Sequence, residues 1–255
     1  MSALPLTSRA FADRLRRREL LLGMIVTLPA PEAAEVLSAG GLDWLFVDTE
    51  HAALDFLAAQ TLLQAARVPC VVRVPDGAEA TLKKALDIGA AGVVVPMVNT
   101  AQQAQAIVSF CKYPPRGVRG VGLVRAQGYG FDFQRYVRSA NDETVVVVQC
   151  EHIAAVEAID AIVAVDGVDA IFVGPYDLSG SIGRPGEVEH PDVLAAIARV
   201  AEACKKAGRA LGIYVGSTAA AKRFIVQGYT LVAVGTDTIH LGEAARSIAA
   251  ALRTG

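Results

Sequence analysis

Short, unbroken apolar runs recur along the chain. Each is followed by a segment whose apolar residues return about every 3.6 positions. Unbroken runs, rather than alternation, mark strands covered on both faces, as in a parallel sheet. The strand candidates are Leu22–Leu28, Trp44–Val47, Cys70–Val74, Gly92–Met97, Val145–Cys150, Ala170–Val173, Ala210–Val215 and Leu231–Val234. The segments Pro31–Ala39, Phe56–Ala66, Ala78–Ile88, Gln102–Cys111, Ala154–Val163, Val193–Ala207 and Ala219–Val226 are rich in good helix formers and read as helices. A first amphipathic helix is expected from Ala10 to Arg18, and Gly89, Gly208 and Gly228 sit where helices end in a left-handed residue. Strict alternation of eight strands with helices predicts one α/β domain over residues 1–255, a closed (β/α)8 TIM barrel. An open doubly wound sheet is the competing fold. Its Gly-rich first turn is missing, because the chain reads Thr27-Leu28-Pro29-Ala30-Pro31 there.

One connection is too long for a simple crossover. Residues 98–144 hold one helix and then Pro114-Pro115-Arg116-Gly117-Val118-Arg119-Gly120-Val121-Gly122, with a short helix over Phe131–Tyr136. A long loop in a compact domain is usually functional, and this one has the Gly and Arg content of a lid over an anionic ligand.

Composition narrows the class. Hydrophobic residues make up 53% of 255, which suits a buried sheet inside Ala-rich helices. No apolar run approaches the length of about 18 residues that crosses a bilayer. A net charge of −2 gives no electrostatic pull towards nucleic acid or anionic membrane. The arginines near the start are interrupted by Asp13 and Glu19 and lack a signal's apolar core, and Cys70, Cys111, Cys150 and Cys204 have no CxxC spacing. A cytoplasmic protein with reduced thiols is expected.

A barrel gathers its strand C-termini at one mouth, where barrel enzymes place their chemistry. Strand 2 delivers Asp48 and His51, strand 3 Arg73, strand 5 Gln149 and Glu151 on one face, and strand 6 Asp177. Asp48 can hold the His51 imidazole, though a helix cap at Asp48 or Thr49 beside a surface His explains the same residues equally well. Arg73 is hard to place in a strand without a ligand; the structural explanation is a salt bridge to Glu50 or Glu151. Two carboxylates on neighbouring strands are how proteins hold Mg2+ or Mn2+ for work on an oxygen-rich substrate. All six lysines lie in helices or the long loop, so a strand-borne Schiff-base lysine is absent and enolate chemistry would need a metal. His152, His190 and His240 read as loop or helix-start residues, and Ser217 as a helix cap rather than a phosphate ligand.

Several motifs together resemble the HpcH/HpaI aldolase family of metal-dependent (class II) pyruvate aldolases. They are Phe46-Val47-Asp48-Thr49-Glu50-His51, Val72-Arg73-Val74-Pro75, Arg116-Gly117-Val118-Arg119-Gly120-Val121-Gly122, Gln149-Cys150-Glu151, Phe172-Val173-Gly174-Pro175-Tyr176-Asp177 and Val234-Gly235-Thr236-Asp237. The resemblance implies a barrel of the phosphoenolpyruvate/pyruvate type that cleaves a 4-hydroxy-2-oxo acid to pyruvate and an aldehyde. It implies Glu151 and Asp177 as ligands of Mg2+, Mn2+ or Co2+, with no organic cofactor. Arg73 would meet the keto acid oxygen, His51 would be the base with Asp48 orienting it, and Gln149, Gly174 and Pro175 would line the pyruvate pocket. It also implies a homo-hexamer with the C-terminal helix, Leu241–Leu252, exchanged between barrels. The same site would suit oxaloacetate decarboxylation, a CoA-thioester lyase or a non-catalytic keto-acid-binding barrel.

Overall fold

The structure, a computed structural model, describes residues 7–253. The single-domain expectation also spans residues 1–6 and 254–255, which lie outside the described residues. Eight parallel strands close in sequence order. They are β1 (Leu21–Val26), β2 (Trp44–Asp48), β3 (Cys70–Arg73), β4 (Gly92–Val95), β5 (Val145–Cys150), β6 (Ala170–Val173), β7 (Ala210–Val215) and β8 (Leu231–Thr236). The helices are α1 (Ser8–Arg16), α2 (Pro31–Ala39), α3 (Phe56–Ala65), α4 (Glu79–Asp87), α5 (Ala101–Cys111), α6 (Phe133–Glu143), α7 (Ile153–Glu157), α8 (Ile159–Val163), α9 (Pro175–Ser181), α10 (Pro191–Ala207), α11 (Thr218–Val226) and α12 (Asp237–Arg253). Among the described residues no helix is long and apolar enough to cross a membrane.

The core has two layers, as the unbroken strand runs require. Val47, Val72, Val93, Val148, Ile171, Ile213 and Val232 face the helices, while Trp44, Phe46, Val94, Val147 and Phe172 fill the barrel. Phe46 stacks between Trp44 and Phe172, at ring distances of 5.8 and 5.5 Å. Phe11 and Leu15 of α1 plug the N-terminal end against Trp44. Gly23 makes room for that indole, since a Cβ there would lie 2.5 Å from the ring.

Element ends differ from expectation where a distant carboxylate takes the backbone. β1 stops at Val26 rather than Leu28, because Thr27 and Leu28 donate their N–H groups to buried Asp237, each at 2.9 Å. β4 stops at Val95 because Met97 adopts φ 53° and donates its N–H to Glu151. The helix expected over Ala154–Val163 breaks at Ala158 into α7 and α8, and α9 follows Gly174 unannounced. The C-terminal helix begins at Asp237, four residues before Leu241, and reaches Arg253.

The long connection is not a lid over the mouth. Helices run antiparallel to the strands, so the C-terminal ends of α3, α4 and α5 lie at the barrel's N-terminal face. Arg125 donates to Ile88 and Leu63 carbonyls there, and Arg119 pairs with Asp87. The expected Phe131–Tyr136 helix is α6, starting at Phe133 after a 3-10 turn over Arg125–Gly130.

Candidate active site

Strand register places Asp48 of β2 beside Arg73 of β3. The carboxylate and guanidinium form a two-point pair, Nε–Oδ1 2.9 Å and Nη2–Oδ2 2.7 Å. Both side chains are buried. Burial opposes the charge on Asp48, but Arg73 prevails and holds the carboxyl below the usual carboxylate range. Glu50 Oε2 lies 3.1 Å from Arg73 Nε and 3.5 Å from His51 Nε2. In the structure the Asp48 carboxylate faces Arg73 rather than the His51 imidazole. Asp48 accepts the His51 backbone N–H at 3.3 Å, while its oxygens are committed to Arg73, and Glu50 faces the imidazole. His51 itself stands at the exposed rim, with 68% of its side chain accessible. Of the two salt-bridge partners named for Arg73, Glu50 is the one used. Arg73 also keeps a spare donor, since Nη1 forms no hydrogen bond among the described residues.

β5 turns Gln149 into the cavity wall, Cys150 packs among the helices, and Glu151, just past the strand end, lies buried behind Gln149 rather than in the lining. The Gln149 amide donates to Glu151 Oε2, and Met97 donates its N–H to Glu151 Oε1 at 2.8 Å. Burial, reinforced by the nearby charges of Asp177 and Glu50, pushes the Glu151 carboxyl up to about 7 against the Met97 hydrogen bond. Gly174 follows β6 and leaves room for Glu151, since a Cβ would fall 2.8 Å from Glu151 Oε2 and 2.9 Å from its Cβ. Pro175 then starts α9 at a position where a missing N–H costs nothing, and Asp177 lies exposed in its first turn. Asp48, Arg73, Gln149, Gly174, Pro175 and Asp177 line one cavity of about 500 Å³ at the mouth.

These residues fit a hard divalent cation. The acceptors outnumber the donors: Glu50 Oε2 and Gln149 Oε1 are buried without a hydrogen bond, and Glu151 is a buried carboxylate crowded by two others. The donor set is all oxygen, which suits Mg2+ or Mn2+ better than soft metals. Among the described residues no group of three His, Cys, Asp or Glu is arranged to hold a metal.

Other candidates resolve structurally. His152, His190 and Ser217 cap α7, α10 and α11 through side-chain acceptors. His240 lies within 3.3 Å of the Val234 carbonyl and 3.4 Å of Glu243. The four cysteines are free, buried, and pushed up to about 12 by that burial. Glu50 was missed as a site residue. Its only sequence signal was adjacency to Asp48 and His51.

The mouth of the closed barrel thus gathers an arginine, four carboxylates and a histidine. The profile of the HpcH/HpaI aldolase/citrate lyase family matches residues 21–244. A hydroxypyruvate/pyruvate aldolase of Cupriavidus necator is 39% identical over 247 residues, covering 95% of this chain and 92% of that one. A 4-hydroxy-2-oxovalerate aldolase of Rhodococcus jostii is 38% identical, covering 94% and 95%. The crystal structure of an aldolase/citrate lyase family protein from Burkholderia cenocepacia superposes with a TM-score of 0.92 at 38% identity, covering 96% and 100%. The chain belongs to the HpcH/HpaI aldolase/citrate lyase family, and it is an enzyme of the aldolase class.

Proposed function

We propose that the mouth cleaves a 4-hydroxy-2-oxo acid to pyruvate and an aldehyde, reversibly, with a divalent cation held by Glu151 and Asp177. The observation that carries the reading is Arg73, buried in the cavity wall with one amino group unspent. Such a donor, fixed by Asp48 and Glu50, is preorganised to stabilise an oxygen on which negative charge develops. The C3–C4 bond breaks, its electrons form the C2–C3 enolate, and charge moves to the former carbonyl oxygen beside Arg73. His51 takes the proton of the 4-hydroxyl, whose oxygen becomes the aldehyde carbonyl, and protonation of C3 gives the pyruvate methyl group. Gln149, Gly174 and Pro175 wall the keto acid side. The cation, when bound, supplies Lewis acidity towards the keto acid. Incubation with pyruvate in D2O tests this. Methyl-proton exchange with Mg2+ or Mn2+ that stops in EDTA is expected; exchange that survives EDTA overturns the cation's role, and none under any condition overturns the reading.

The same reading extends to assembly and setting. α12 buries only Asp237 and exposes Leu241, Ile248 and Leu252, a face that supports exchange of this helix in a homo-hexamer. Light scattering would give six chains, and fewer would reject it. Buried free thiols suit a reducing cytoplasm.

A further inference from the structure

The cavity, about 500 Å³, is larger than a three-carbon keto acid needs, and part of its wall comes from β7, α10 and α11 rather than from the strands that carry Asp48 and Arg73. Beyond the Arg73 end it runs past Tyr214 and Val215 of β7 into a recess between α10 and α11. Val188, Ile197, Ala220 and Phe224 wall that recess. None of these four offers a polar side chain, and the polar residues beside them, Glu189 and Arg223, are spent on each other at the rim, so a hydroxylated chain seated against the four would lose its water without replacement, at a cost for each unpaired hydroxyl. The charges point the same way. Two cations line the cavity among the described residues, Arg73 and Arg223. Arg73 is matched by Asp48. Arg223 is matched at the rim by Glu189 in a two-point pair, Nη1–Oε2 3.0 Å and Nη2–Oε1 2.6 Å. Each cation of the lining already has a carboxylate partner. The hydroxyl of half-buried Tyr214, without a partner among the described residues, is a single polar handle at the neck.

Resting on the aldolase reading above, we propose that the aldehyde partner is uncharged and carries an apolar chain or ring of several carbons, seated between α10 and α11. In the reverse direction the enolate C3 of pyruvate attacks the aldehyde carbon, the new C–C bond forms, and the aldehyde oxygen gains the proton as the 4-hydroxyl. The expected products are 4-hydroxy-2-oxo acids with an apolar tail.

The test is a panel of aldehydes assayed with pyruvate and Mn2+: acetaldehyde, hexanal and benzaldehyde against succinic semialdehyde, glyceraldehyde and glyceraldehyde 3-phosphate. Wild-type kcat/KM should be at least about tenfold higher for hexanal or benzaldehyde than for any charged or hydroxylated member. Ala220→Phe, in the first turn of α11, should lower the hexanal-to-acetaldehyde ratio by about tenfold. Glu189→Gln at the exposed rim should release Arg223 and raise succinic semialdehyde turnover by about tenfold. A wild-type preference for charged or hydroxylated aldehydes overturns the proposal, as does an unmoved ratio in Ala220→Phe. Should Ala220→Phe not fold, the wild-type ranking and Glu189→Gln decide. Pyruvate proton exchange in the same samples separates the failures. Exchange with the wrong preference removes only the recess assignment, whereas no exchange removes the aldolase reading and the proposal with it.

Discussion

The two ends of the barrel both bury charge, yet they do so differently. At the N-terminal face Lys112, Arg119 and Arg16 each have a partner within the chain, although Arg119 Nε is buried without a hydrogen bond. Lys112 donates to the carbonyls of Asn141 and Thr144 at 2.9 and 2.7 Å. Arg119 pairs with Asp87 at 2.7 Å and stacks on Tyr113, and Arg16 pairs with Asp169 at 2.7 Å. At the mouth, acceptors are left over on Glu50 and Gln149, Arg73 keeps a donor, and Glu151 is forced towards protonation. Buried polar groups are normally satisfied, and what distinguishes the mouth is that its unspent groups are acceptors gathered beside a crowded carboxylate, which marks a place prepared for a cation.

Substitutions at the two ends should therefore separate stability from chemistry. At the N-terminal face, Arg119→Met should remove about 3–5 kcal/mol of stability by stranding Asp87, while leaving pyruvate exchange within about twofold; denaturant titration beside the exchange assay reads both. At the mouth, Arg73→Lys should show the reverse. Exchange should fall about 10³-fold, equivalent to about 4 kcal/mol of transition-state stabilisation, because a point charge cannot hold Asp48 at two points and still present a donor. An Arg119 variant without exchange, or an Arg73 variant with full exchange, would erase the contrast.

The pH dependence of Glu151 sharpens it further. Its carboxyl is raised from 4.5 to about 7 in the folded chain, chiefly by burial. Below about pH 4.5 folded and unfolded states both hold the proton, so stability is full there. It is lost as pH rises through about 7, where the buried group must ionise. Glu151→Gln should therefore stabilise the metal-free protein at pH 8 by about 1–3 kcal/mol and change little at pH 4.5. Equal effects at both pH values would deny the strain at the mouth. The smallest expected effect belongs to His152. His152→Ala should cost about 1 kcal/mol or less through the lost α7 cap and leave exchange unchanged, whereas a catalytic histidine would abolish it.

Most of the barrel was legible because a parallel strand buried on both faces writes an unbroken apolar run, and the helices write their own period between runs. The ends were not, because Asp237 takes the N–H groups of Thr27 and Leu28, and Glu151 takes that of Met97, from far along the chain. The site was legible by position, since strand ends deliver Asp48, Arg73, Glu151 and Asp177. Partnership was not. Asp48 stands three residues from His51 and 25 from Arg73, yet register across β2 and β3 gives it to the arginine. The Gly- and Arg-rich connection misled because composition carries no sign of which end of a barrel it covers. Only the Arg119–Asp87 and Arg125–Ile88 contacts decide that.

The most direct test of the surplus-acceptor account is calorimetric titration of Mn2+ into the wild type, Glu151→Gln and Arg119→Met, each with saturating pyruvate. One site per chain in the wild type and in Arg119→Met, lost in Glu151→Gln, is the expected result. Undiminished binding in Glu151→Gln would contradict the account.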